Sequence, residues 1–135
     1  FKYDYFDGMR MYNTFQAHQL LHWAEEQGRQ TTLKLALFEA FFSRRENVSD
    51  PEVLATVAAR AGLDSAEARE VLESARYAGV VRAEQARWLD KEVHAVPAFF
   101  FNNGFPVPGA QESETFVRVL NRLRETPLTE GALAQ

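Results

Sequence analysis

The sequence predicts a mainly α-helical domain carrying one small β-hairpin, and three observations lead to it. Apolar residues recur three and four positions apart in successive stretches between Phe15 and about Val93, each bounded by residues that start or stop helices. A continuous apolar run, Pro97-Ala98-Phe99-Phe100-Phe101, then meets the turn signal Asn102-Asn103-Gly104 and a returning Phe105-Pro106-Val107. The chain has 135 residues, 46% of them hydrophobic. That length can bury roughly 65–70% of its unfolded surface in one core.

Phe1 to Tyr12 is aromatic and contains the turn dipeptide Asp7-Gly8, so it is expected to be an irregular or short extended lead-in. The first helix follows, with Asn13 or Thr14 to cap it and Gly28 to end it. A second is expected from about Gln30 to Arg45, where Leu33, Leu37, Phe38, Phe41 and Phe42 form a wide apolar stripe that should face a core. Asp50-Pro51 starts a third: the carboxylate accepts otherwise unpaired amide protons, and proline at the first helical position loses no hydrogen bond. Gly62 closes it. Asp64-Ser65-Ala66-Glu67 has the pattern of a capping box and opens a fourth helix to about Ala78, before Gly79. A fifth runs from Val80 to about Val93. The strand at 97–101 and its partner come next, with Pro106 and Pro108 limiting the partner to few ladder bonds. A last helix, Ser113 to Arg124, carries Phe116, Val117, Leu120 and Leu123, and Pro127 lies beyond its end.

Composition excludes several functions. No apolar run approaches the roughly 18 residues of a membrane span. The net charge of −4, from 15 Lys+Arg against 19 Asp+Glu, argues against nucleic acid as a partner, because phosphate-backbone binding needs a basic surface. Cysteine is absent, so the chain has no disulfide, no thiolate metal site and no thiol nucleophile. With no basic-then-apolar leader, a cytoplasmic location is expected. The chain opens on Phe1-Lys2-Tyr3-Asp4 rather than Met, as a piece of something longer would.

Candidate chemistry is sparse. His18 and His22 stand four apart on one predicted helix, a spacing that could place both on a metal, but Gln19 occupies the position where a metalloprotease motif has glutamate. Two of four ligands is too few, and no metal or cofactor is expected. The glycines form no phosphate-cradling loop, and no nucleophile elbow is present. Phe38, Phe41 and Phe42 could line a cleft, although such a stripe is more simply core. Glu25-Glu26 and Glu67-Glu70 are most simply solvated helix faces.

His94-Ala95-Val96-Pro97-Ala98-Phe99-Phe100-Phe101, then Asn103-Gly104 and Pro108-Gly109-Ala110-Gln111, resembles the C-terminal thioredoxin-fold segment of DsbA-like oxidoreductases of the FrnE-type dithiol-disulfide isomerase group. Asn13-Thr14-Phe15-Gln16-Ala17-His18, Leu21-His22-Trp23-Ala24, Leu37-Phe38-Glu39-Ala40-Phe41-Phe42, Asp50-Pro51-Glu52-Val53-Leu54 and Ala61-Gly62-Leu63-Asp64 resemble their helical insertion, in the same order. The resemblance spans roughly residues 10 to 124. It implies a lead-in at 1–12, a helical insertion domain at 13–93, the C-terminal ββα half of a thioredoxin fold at 94–126, and a tail at 127–135. The family's Cys-x-x-Cys belongs to the half that would precede Phe1, so this chain is expected to hold no catalytic residue and to be inactive alone.

By the same resemblance, Val96 and Pro97 are the substrate-binding residues, with a cis peptide bond between them. A 2-hydroxychromene-2-carboxylate isomerase or a kappa-class glutathione transferase, which share the architecture, is the second reading. A non-enzymatic helical interaction module is the third. The expected substrate is a protein or small thiol or disulfide. The phenylalanines of the strand point to both faces, so the hairpin is expected to be covered by a second copy in a homodimer, by the missing half, or by Phe1 to Tyr12 folding over it.

Overall fold

The computed structural model describes residues 2–91, 93–101 and 105–125. The expected turn at 102–104 and the tail from Thr126, with Pro127, lie outside the described residues. Six helices and two strands follow one another: α1 (Phe15–Glu26), α2 (Gln30–Phe42), α3 (Pro51–Arg60), α4 (Ser65–Ser74), α5 (Ala78–Asp90), β1 (Ala98–Phe101), β2 (Phe105–Pro108) and α6 (Ser113–Glu125). The mainly helical architecture with a small hairpin is therefore present. The chain divides into two compact units, Phe1–Arg87 and Trp88–Gln135.

Local chemistry sets most helix starts in the first unit. Asn13 Oδ1 accepts from Phe15 N at 2.8 Å, and Thr14, at the cap position, makes no side-chain cap bond. Asp50 accepts from Glu52 N at 2.9 Å ahead of Pro51, and Asp64 Oδ1 accepts from Ala66 N and Glu67 N, each at 2.8 Å. α3 ends in a tight reversal in which Gly62 N donates to Ala59 O and Leu63 N to Ala58 O, both at 3.0 Å. Gly62 takes φ +78°, a left-handed conformation that a side chain would strain. Leu20, Trp23, Leu33, Leu54, Val57 and Val71 fill the core between α1, α2, α3 and α4.

Several expected boundaries move. α2 stops at Phe42 instead of Arg45. Arg45 turns left-handed at φ 56°, with its Nε 2.6 Å from Asp4 Oδ2 and its guanidinium 4.2 Å from the Phe6 ring centre. α4 stops at Ser74 instead of about Ala78, because Ala75 turns left-handed at φ 50° and α5 restarts at Ala78, placing Gly79 inside α5 instead of ahead of it. That turn lets the Tyr77 hydroxyl donate to Glu26 Oε2 at 2.6 Å. α5 in turn ends at Asp90, short of Val93.

The apolar stripe of α2 is also corrected. Leu33, Leu37 and Ala40 face the core, whereas Phe38 is exposed and Phe41 and Phe42 are half-buried. The lead-in packs against these rings: Asp4 N donates to Phe42 O at 2.7 Å, and the Tyr3 and Tyr12 rings meet Phe42 and Phe41 at 5.1 Å and 6.1 Å. Ser43 Oγ also donates to the Lys2 carbonyl. The lead-in is thus anchored on α2.

One polar group sits badly in this core. Gln19 is 2% exposed and its Oε1 has no hydrogen-bond partner among the described residues. Replacing it by leucine removes an unpaired buried acceptor at similar volume, so Gln19→Leu is expected to raise unfolding stability by about 1 kcal/mol. A urea denaturation midpoint at or below that of the parent would show that the amide is satisfied in solution.

Candidate functional site

The second unit is built on the hairpin. β1 and β2 pair antiparallel, with Ala98 opposite Pro108, Phe99 opposite Val107, Phe100 opposite Pro106 and Phe101 opposite Phe105. Two of the four β2 residues are prolines and donate nothing to the ladder, so β2 serves as a short edge strand. Gly109 N donates to Pro97 O at 2.8 Å and closes the open end of the hairpin. Alternation along β1 sends Phe99 and Phe101 towards Phe116 of α6, with ring centres 4.8 Å and 6.4 Å away. Phe100 points to the opposite face, where its ring centre lies 5.3 Å from that of Trp88 and 5.7 Å from Lys91 Nζ.

The Val96–Pro97 segment stands at the start of this strand. Its peptide bond is cis. Val96 is 90% exposed, an unusual position for an aliphatic side chain, and Pro97 is exposed beside it. Among the described residues no backbone hydrogen bond engages Val96. Next to it lies a concavity of about 330 Å³ lined by Lys91, His94, Ala95, Ala98, Phe100 and Pro108, among others. The arrangement is an apolar hollow beside a bend whose Val96 backbone is unpaired among the described residues. It has room for one apolar side chain, and no thiol or hydroxyl lines it among the described residues.

His18 and His22 lie in the helical unit. His22 Nε2 is 3.2 Å from Glu84 Oε2, and its ring stacks on Tyr77 at 6.4 Å between centres. Among the described residues no group of three or more His, Cys, Asp or Glu is placed to hold a metal ion. His18 is held below the usual histidine range, first by partial burial, then by His22, against an opposing pull from Glu84 and with a further lowering from Lys34. A histidine whose folded pKa is depressed binds fewer protons folded than unfolded, so its contribution is present above the unfolded value and lost as pH falls through the folded one. Stability is thus expected to drop from about pH 7 to about pH 5, above the carboxylate range, and His18→Gln should flatten that slope. An unchanged slope in the variant would place the titrating group elsewhere.

Two glutamates expected to be solvated have structural partners. Glu67 Oε1 accepts from Trp23 Nε1 at 2.9 Å, and Glu26 accepts from Tyr77, whose phenol is pushed up by desolvation and by that hydrogen bond. No local spacing marks such pairs, because their members lie 44 and 51 residues apart.

Comparison with known proteins bears on both units. The family model described as "DSBA-like thioredoxin domain" matches residues 5–121. The crystal structure of a probable DsbA oxidoreductase from Streptomyces coelicolor is similar with a TM-score of 0.72 and 35% identity, covering 87% of this chain and 52% of that one. The uncharacterized protein YwbO of Bacillus subtilis is 28% identical over 106 residues, 78% of this chain and 52% of its own length. The ClpXP adapter protein SpxH of Halalkalibacterium halodurans is 32% identical over 105 residues, 72% of this chain and 34% of its own. The chain spans about half the length of YwbO and of the Streptomyces protein, and a third of SpxH. No described helix is long and apolar enough to cross a membrane.

Proposed function

The chain belongs to the DSBA-like thioredoxin domain family, and from that premise we propose that it supplies the substrate-holding part of a thiol-disulfide oxidoreductase. Family membership supports an oxidoreductase role. Within that role we read the chain as part of a dithiol-disulfide isomerase of the FrnE type. The observation that carries it is the exposed Val96 next to Pro97: the Val96 backbone makes no hydrogen bond among the described residues. An extended substrate would pair with Val96 through main-chain hydrogen bonds and place one apolar side chain in the hollow between His94 and Phe100.

Exchange requires a thiolate that attacks one sulfur of a disulfide while the other leaves as thiolate. The sequence contains no cysteine, so under this reading the attacking sulfur comes from outside these 135 residues. β1 is paired on one edge only among the described residues. Its open edge is the proposed contact for the rest of a longer protein or for a second copy. Between peptide disulfides and glutathione as substrate, the unpaired Val96 backbone beside an apolar hollow favours the peptide.

Insulin reduction tests the division of labour. The pure chain is expected to add nothing to the rate given by dithiothreitol alone. A rate above that background would reveal a different chemistry and remove the basis of the reading.

A further inference from the structure

We propose that Gly109 is a positioning residue for the substrate contact at Val96, with Gln111 holding it in place. The inference rests on the reading of Val96 as that contact. The bend at 95–97 is exposed, so packing does little to fix it. A hydrogen bond does: Gly109 N donates to Pro97 O at 2.8 Å, and among the described residues no other backbone hydrogen bond reaches 95–97. Proline brings no N–H of its own. With the Pro97 carbonyl engaged by Gly109, the wholly unpaired backbone groups of this residue pair are those of Val96.

The backbone at 109 is what this role demands. Gly109 stands just past the Ala98–Pro108 pair of the hairpin and takes φ +72°, where a residue with a side chain is strained. Room is not the constraint, since a Cβ here would find Gln111 Nε2 at 3.9 Å, an ordinary contact distance. The same Nε2 donates to Pro108 O at 2.7 Å. The turn is thus closed on both sides, by the Gln111 side chain on Pro108 and by the Gly109 amide on Pro97. The chain before and after it is tethered, β2 by its pairing with β1 and α6 by Phe116 against Phe99 at 4.8 Å. A change of φ between tethered ends has to be absorbed by the two hydrogen bonds of the turn, and the hold on Pro97 is one of them.

The test titrates variants of the chain with a peptide closed by an intramolecular disulfide, with leucine beside the bridge, and reads affinity from amide chemical shifts. The Gly109–Pro97 bond is followed in parallel by the nitrogen–carbonyl scalar coupling across it. Gly109→Val and Gly109→Asn add side chains of similar size, but asparagine tolerates the left-handed conformation and valine does not. Valine is expected to weaken the peptide about tenfold and abolish the coupling, and asparagine to stay within about twofold of the parent and keep it. Gln111→Glu has no proton to donate at neutral pH, so it should weaken the peptide about threefold at about pH 7 and recover at about pH 4, where its carboxyl is protonated. Unchanged Phe99 and Val107 amide signals report an intact strand pair; if valine disturbs them, Gly109→Ala takes its place, with about fivefold weakening expected. Equal weakening by valine and asparagine, or full peptide affinity with the coupling lost, would overturn the inference and leave the contact at Val96 standing. No saturable shift at Val96 in the parent chain would remove the functional reading, and the inference with it.

Discussion

Trp23→Ala is expected to lower the stability of the helical unit by about 3–5 kcal/mol. The indole is 1% exposed in the core between α1 and α4, and its Nε1 donates to Glu67 Oε1 at 2.9 Å. Removing it opens a cavity lined by rigid helices, which can collapse only in part, and so both the transfer and the cavity contributions are lost. Trp23→Phe keeps most of the packing and loses the hydrogen bond, with an expected cost of about 1–2 kcal/mol because half-exposed Glu67 returns to water. Urea unfolding followed by far-ultraviolet circular dichroism measures both. A loss under about 1 kcal/mol for the alanine variant would mean that this core is not packed around Trp23.

Phe116→Ala has the next largest expected effect, about 2–3 kcal/mol, and it should fall on the strands. α6 contributes no fully buried side chain. Its hold on β1 runs through the Phe116 ring, which meets Phe99 edge to face at 4.8 Å with 71° between planes and Phe101 at 6.4 Å. Without that ring, the Phe99 and Phe101 face of the strand is left open. Hydrogen exchange of the β1 and β2 amides should accelerate, while amides of α1 and α3 keep their protection, because those helices have a core of their own. Equal acceleration in both sets would show that the strands and the helical core unfold together.

The features legible in the sequence are those that short-range chemistry decides. Asp50-Pro51 and Asp64 start helices because the cap, the amide it accepts from and the first turn lie within three residues. The strand at Phe99 to Phe101 is legible because a proline and a turn leave no room for a helix. What fails depends on distant partners. The end of α2 is set by Asp4 and Phe6, some forty residues upstream of Arg45, and the break at Ala75 by the reach of Tyr77 to Glu26.

Phe38, Phe41 and Phe42 show the limit of periodicity. Leu33, Leu37 and Ala40 already give a complete core face at three- and four-residue spacing, so the rings fall on a second face, where Phe41 and Phe42 meet the lead-in. The cis bond between Val96 and Pro97 is legible only through resemblance, since an exposed valine before a proline carries no periodic signal of its own.

The proposed peptide contact at Val96 is tested most directly by amide chemical-shift mapping. The isotopically labelled chain is titrated with an extended peptide containing an intramolecular disulfide. The predicted result is a saturable shift largest at the Val96 amide and its neighbours Ala95 and Ala98, weakened when the peptide's apolar residue beside the disulfide is replaced by aspartate. Shifts confined to α1 and α2, or none at Val96 up to millimolar peptide, would contradict it.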